Sequence, residues 1–116
     1  MSDTDCIFCK IAAGEMGELI YENERAAAFH DVSPQAAVHV LVVPKSHHDN
    51  ICDGVDGDTL AAMVDAVQAV VEQTQIAQSG YRVITNTGAD AGQAVAHLHW
   101  HVLGGQNLGP LVVPEH

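Results

Sequence analysis

The sequence predicts an α+β fold, a mostly antiparallel sheet with one long helix packed on a face and a short N-terminal helix. Three observations carry that prediction. Val38–Val43 is a nearly continuous β-branched run, the pattern of a central strand covered on both faces. Leu60, Met63, Val64, Val67, Val70 and Val71 recur at helical spacing and trace one apolar stripe. His97-Leu98-His99-Trp100-His101-Val102-Leu103 alternates imidazole with apolar side chains, as a strand with one face of each kind does.

The elements follow in order. Residues 6–13 (Cys-Ile-Phe-Cys-Lys-Ile-Ala-Ala) read as a short helix stopped by Gly14. Leu19–Glu22 and Ala26–His30 read as short strands joined at Asn23-Glu24. Ser33-Pro34 breaks the chain before Val38–Val43, and Pro44 ends that strand. The acidic, glycine-bearing loop Asp53–Asp58 leads into the long helix, with Asp58 its expected N-cap and Gly80 its expected stop. Tyr81–Thr85 is the next strand, Asn86–Gly92 a loop of Gly, Asp and Asn, and Ala96–Leu103 the histidine strand. The tail 106–116 ends in an apolar patch, Leu111–Val113. No repeat or linker interrupts residues 1–116, so one domain is expected.

Composition narrows the function classes. The chain has 116 residues, 47% of them hydrophobic, and a mean hydropathy of +0.09, ordinary for a globular protein. Fifteen acids against four bases give a formal charge of −11, which argues against nucleic acid or an anionic membrane as partner. No apolar run reaches the ~18–20 residues of a membrane span, and no secretory signal layout is present. With three cysteines and no such signal, a reducing cytoplasmic setting is expected, with free thiols or thiolate–metal bonds.

The histidine row carries the chemistry. Same-face residues on a strand lie ~6.6–6.8 Å apart, which anchors the outer two histidines about 13 Å apart. One metal ion could take two neighbours from such a row but hardly three. An extended substrate fits better, one ring acting as nucleophile or base and the others aligning it. His39, on the valine-rich strand, reads either as a satisfied core histidine or as a residue positioning that row. The loop from Asn86 to Gln93 is either a plain turn or a backbone cradle for phosphate. In Phe29-His30-Asp31-Val32, Asp31 either opens the Ser33-Pro34 turn or accepts ribose hydroxyls beside a base on Phe29 and Val32. Cys6 and Cys9 form half of a zinc knuckle. His47 or His48 together with His97 would complete it, and Cys52 is a further candidate. A thioredoxin-type reading of the same Cys-x-x-Cys lacks its βαβ context.

These segments together resemble the histidine triad (HIT) superfamily, and within it the Hint branch. The triad motif matches over 97–103. Residues 6–11 resemble the N-terminal segment, 28–36 the nucleoside-binding stretch, and 38–47 the central strand and its exit. Asn86, Gly88, Gly92-Gln93 and Val102-Leu103-Gly104-Gly105 extend the match from residue 6 to about 105. The resemblance implies a two-fold homodimer whose sheets join. It implies cleavage at the α-phosphorus of purine nucleoside 5′-phosphoramidates or similar nucleotidyl conjugates. His99 would attack phosphorus and carry the nucleotidyl group, with no cofactor required. His97 and His39 would tune or orient it, and His101 would contact the phosphate. Asp31 would hold the ribose within Phe29-His30-Asp31-Val32, the base lying against Phe8, Ile11, Phe29 and Val32. Asn86, Gly92 and Gln93 would hold phosphate and leaving group. Cys6, Cys9, His47 and His97 match the structural zinc ligands of some microbial members, and in that case His97 is a ligand rather than a proton relay. Two departures bear on leaving-group preference: Ala94 replaces a usual serine, and the tail lacks the tryptophan of animal Hint proteins. Other expectations are a dinucleoside polyphosphate hydrolase, a nucleotide-binding adaptor with vestigial activity, and a zinc hydrolase built on His39, His97 and His99.

Overall fold

A computed structural model describes residues 5–110, so the apolar patch Leu111–Val113 lies outside the described residues. The elements are α1 (Ile7–Ala12), β1 (Tyr21–Glu22), β2 (Ala26–His30), β3 (Val38–Pro44), α2 (Gly57–Thr74), β4 (Tyr81–Ile84) and β5 (Trp100–Gly104). A single 3₁₀ turn, Ala89–Ala91, sits between β4 and β5. The strands form one antiparallel sheet in the order β1-β2-β3-β5-β4. β3 is therefore the central strand, and its β-branched run is buried on both faces as the residue pattern requires.

Period-2 alternation divides the core into two layers. Ala26, Ala28, Val40, Val42 and Val102 face α2 and pack on Met63, Ala66, Val67, Val70 and Val71. Ala27, Phe29, Leu41 and Val43 face the other way and meet Phe8 and Ala12 of α1. The sheet is thus covered on both faces rather than on one.

Besides β1, which starts at Tyr21 rather than Leu19, and one-residue shifts at α1, β3 and β4, three boundaries differ from those the sequence suggests. α2 begins at Asp56, whose carboxylate accepts the Thr59 N–H at 2.8 Å, leaving Asp58 inside the first turn. α2 ends at Gln75 in the left-handed region (φ 60°), closed by the Ile76 N–H on the Val71 carbonyl, because burying Ile76 decides the turn. Gly80 serves the next turn, ahead of β4. The histidine strand starts at Trp100, not Ala96: its ladder with β3 runs only from Gly104 back to Trp100. His97 and His99 precede the ladder. No helix among the described residues is long and apolar enough to cross a membrane.

Met63 is fully buried between α2 and the sheet, so Met63→Ala should cost about 2–5 kcal/mol, read by urea unfolding. Exposed Gln73→Ala should stay within about 0.5 kcal/mol.

Candidate active site

The face of the sheet opposite α2 gathers the imidazoles. His39 on β3 stands opposite Leu103 and His101 on β5 stands opposite Leu41, so the two are diagonal neighbours on one face. Their rings approach with His39 Nε2 at 2.8 Å from His101 Nδ1. The His99 ring lies 5.1 Å from that of His101, and Phe8 of α1 meets His99 edge-on at 5.1 Å. His99 is buried. Leaving the ladder before Trp100 is what lets His99 fold back beside His101 instead of standing a strand repeat away.

Backbone partners fix which ring nitrogen carries each proton. A carbonyl only accepts, so His99 donates its Nδ1–H to the His97 carbonyl at 2.7 Å. The lone pair of neutral His99 is then on Nε2. An amide N–H only donates, so His39 Nδ1 accepts from Gln35 at 2.9 Å, and Nε2 of neutral His39 bears the hydrogen. That hydrogen goes to His101 Nδ1, with the Asp31 carboxylate 3.4 Å away. Neutral His101 keeps its own N–H on Nε2. Burial, then the neighbouring His99 and His39, hold the His101 pKa below the ordinary 6.5, against an opposing pull from Asp31.

A second cluster lies beside the first. Cys6, Cys9, His47 and His97 place their donor atoms within 4.8 Å of one another. His97 Nδ1 is 3.2 Å from Cys6 Sγ and 3.4 Å from Cys9 Sγ, and His47 Nδ1 is 3.2 Å from Cys9 Sγ. Both rings donate Nε2–H away from the thiols: His97 to the Pro44 carbonyl at 2.9 Å, His47 to Asp49 at 2.9 Å. Each Nδ1 lone pair therefore points at sulfur. Tetrahedral zinc, with bonds of ~2.3 Å to sulfur and ~2.0–2.1 Å to nitrogen, puts such atoms about 3.6 Å apart. The residues fit a zinc ion with a movement of a few tenths of an ångström. Burial lowers the His97 pKa to about 4, which keeps the ring neutral.

Asp31, His39 and His101 also bring their donor atoms within 4.8 Å. Here the tautomer points the other way. Gln35 forces a hydrogen onto His39 Nε2, the atom that would have to bind a metal, so this trio shares a proton. His39, His97 and His99 do not form one donor cluster among the described residues, and the zinc-hydrolase arrangement is absent from them. Both ring nitrogens of His97 are committed, to the thiols and to Pro44, so only its carbonyl reaches the His99 ring.

The remaining predicted residues divide. Phe8 and Phe29 stack edge to face at 5.5 Å, and Ile11 packs against their cluster. Val32 is 98% exposed beside them in sequence. Asp31 does open the turn, accepting the Ser33 N–H at 2.7 Å, while its other oxygen faces His39. The His30 side chain is exposed and shares the parity of Ala26 and Ala28, so it turns away from the imidazole face. The glycine loop closes on itself. Gln93 Oε1 accepts from Gly88 N–H, Gln93 N–H donates to the Gly88 carbonyl, and Gly92 N–H donates to Ala89. The Gln93 amide nitrogen donates to the Asp49 and Val95 carbonyls, tying the loop to the His47 segment. The N–H groups of Gly88, Gly92 and Gln93 are thus bonded within the loop. Asn86 is half-buried at the loop's start. His48 bridges Ser46 and the Asp53 carbonyl, and Cys52 is exposed outside the cluster. Sequence reasoning missed Gln35, Pro44 and Asp49. The two backbone partners leave no residue-type signal, whereas an acid two residues after His47 was readable.

The HIT domain family matches residues 15–108. The chain belongs to that family. A histidine triad protein of Clostridium difficile is 42% identical and superposes with a TM-score of 0.88 over 97% of this HIT chain and 100% of its own. A 13.2 kDa HIT-like protein of Azospirillum brasilense is 40% identical over 95% of this chain and 93% of its own length. A protein of Escherichia coli K12 named purine nucleoside phosphoramidase is 37% identical over 93% of each. The α+β fold with its five-stranded antiparallel sheet is that of the HIT structures.

The depressed His97 and His101 pKa values have a thermodynamic consequence for this HIT protein. Below pH 6.5 the unfolded chain takes up protons that the native rings refuse, so stability is full above that pH and falls as pH drops towards about 4. In metal-free protein, urea unfolding at pH 5 against pH 7 should show a loss of about 2 kcal/mol from His97 alone. Equal stability at the two values would contradict the buried neutral ring.

Proposed function

We propose that this HIT protein is a nucleotidyl hydrolase acting at the α-phosphorus of purine nucleoside 5′-phosphoramidates or related conjugates, with His99 as nucleophile. The observation that carries the reading is the 2.7 Å bond from His99 Nδ1–H to the His97 carbonyl, which commits the lone pair to Nε2. The ring is buried, and Phe8 packs against it edge to face. The phosphoramidase name of the Escherichia coli relative supports the substrate class.

The first half-reaction forms a bond from His99 Nε2 to phosphorus as the P–N bond to the amine breaks. The leaving nitrogen takes a proton from solvent, since neutral His101 keeps its Nε2–H as a hydrogen-bond donor. Water then attacks phosphorus, His99 departs with the bonding pair, and the proton that water releases goes to solvent. Splitting the displacement gives each half a leaving group the site can handle. His101 Nε2–H also faces the charge that develops on the phosphoryl oxygens. His39 keeps that donor correctly placed, because its own tautomer is set by Gln35. Phe8, Ile11 and Phe29 offer the base an apolar wall, exposed Val32 its other side, and Asp31 its free lone pairs to the ribose.

Zinc fits the second cluster, where Cys6, Cys9, His47 and His97 would hold it. When bound it supplies cross-linking of α1 to the loop after β3 and to the segment before β5. A two-fold dimer fits the far edge of the sheet. Among the described residues β4 pairs only with β5; its Tyr81 lines, with Val64 of α2, a groove of about 430 Å³, and Val83 is exposed on the same strand. A second copy laid antiparallel on β4 would extend the sheet across the pair.

Release of AMP from adenosine 5′-phosphoramidate tests the reading. Wild type should turn over, and His99→Ala should lose at least about 10³-fold in kcat while remaining folded. Intact-mass analysis of rapidly quenched wild type should find a nucleotidyl adduct that the variant lacks. Well-folded wild type that releases no AMP would overturn the proposal.

A further inference from the structure

The nucleophile stands on a segment that the sheet does not hold. The β3–β5 ladder ends at Trp100, so His97, Leu98 and His99 lack strand pairing with β3. What replaces the ladder is a short set of contacts. Leu98 N–H donates to the His48 carbonyl and its side chain enters the core. Thr85 Oγ donates to the His99 carbonyl at 3.0 Å. His97 supplies the rest: Nε2–H to Pro44, Nδ1 to the two thiols, and its carbonyl to the His99 ring. Phe8, one turn of α1 flanked by Cys6 and Cys9, touches both the His97 and His99 rings. Apart from Leu98, Thr85 and the neighbouring His101 ring, the struts under His99 therefore run through His97 of the cluster or through Phe8, which sits between its two cysteines on α1.

We infer that this cluster is a positioning element for the reaction: Cys6, Cys9 and His47 fix the His97 side chain, and His97 in turn fixes the His99 ring. The inference rests on the proposed nucleophilic role of His99 and goes beyond it, since it assigns a catalytic consequence to residues that touch no substrate. Loosening the cluster leaves Phe29 and Asp31 in place on and after β2, with Phe8 still packed on Phe29, but lets the His99 Nε2 wander from phosphorus. A misplacement of that kind lowers kcat and spares KM.

The test compares wild type, Cys9→Ser and His47→Ala, with exposed Cys52→Ser as control. Zinc content, kcat and KM for the phosphoramidate, and hydrogen exchange of the Leu98 amide are measured against the Val102 amide on the ladder. The expected result for Cys9→Ser and His47→Ala is lost zinc, kcat down about tenfold or more with KM within about threefold, and Leu98 protection reduced while Val102 keeps its own. Cys52→Ser should match wild type. Lost zinc with kcat and Leu98 protection unchanged would overturn the inference, leaving the cluster a purely structural staple. If a variant loosens Val102 as well, chelation of wild type and zinc re-addition decide the matter. Paired loss and recovery of kcat and Leu98 protection supports the inference, and no change in either overturns it. A wild type that releases no AMP defeats the hydrolase reading alone, and the exchange measurements still judge the coupling.

Discussion

A single backbone hydrogen bond organises this molecule's chemistry, the one from His99 Nδ1–H to the carbonyl two residues earlier. A carbonyl cannot donate, so the bond does more than orient the ring. It decides which nitrogen of neutral His99 keeps its lone pair. The condition for making it is that residues 97–99 leave the β5 ladder, because an extended strand would carry a ring away from the carbonyl two residues before it. The chain then needs other anchors for that stretch, and His97 provides them with both ring nitrogens. The core beneath is ordinary: alternation puts Leu98, Trp100 and Val102 against α2 and leaves the opposite parity for imidazoles.

Two neighbouring clusters use their histidines for opposite ends. In one, Pro44 and Asp49 draw Nε2–H outward and leave lone pairs facing sulfur, the arrangement a thiophilic cation needs. In the other, the Gln35 amide takes the lone pair of His39 Nδ1 and pushes a hydrogen towards His101 and Asp31, the arrangement proton sharing needs. Neither assignment follows from which residues are present. Both follow from whether the outer partner of each ring donates or accepts.

Much of the frame was legible. β2 appears where Ala26–His30 predicts it, β3 runs only one residue further, to Pro44, and Cys6, Cys9, His47 and His97 meet although up to 91 residues separate them. What stayed hidden has physical reasons. Alternation of side chains persists whether or not a ladder forms, so the pattern at 96–103 could not reveal that pairing begins at Trp100. Asp56 and Asp58 are equally good caps by type, and the choice is made by where Thr59 packs. Gln93 reads as a ligand-binding amide, and the type alone does not show that its side chain also braces its own loop and reaches the Asp49 carbonyl. The side-chain direction of His30 was available in principle, since it shares parity with Ala26 and Ala28 and not with Phe29. Gln35 and Pro44 act through backbone atoms, which every residue has.

The measurement that bears most directly on this account is the imidazole tautomer pattern, read by long-range ¹⁵N–¹H correlation NMR of the wild-type protein near neutral pH. The account predicts hydrogen on Nδ1 for His99 and on Nε2 for His39 and His97. A His99 ring protonated on Nε2 would leave no lone pair there for the proposed attack and would contradict it.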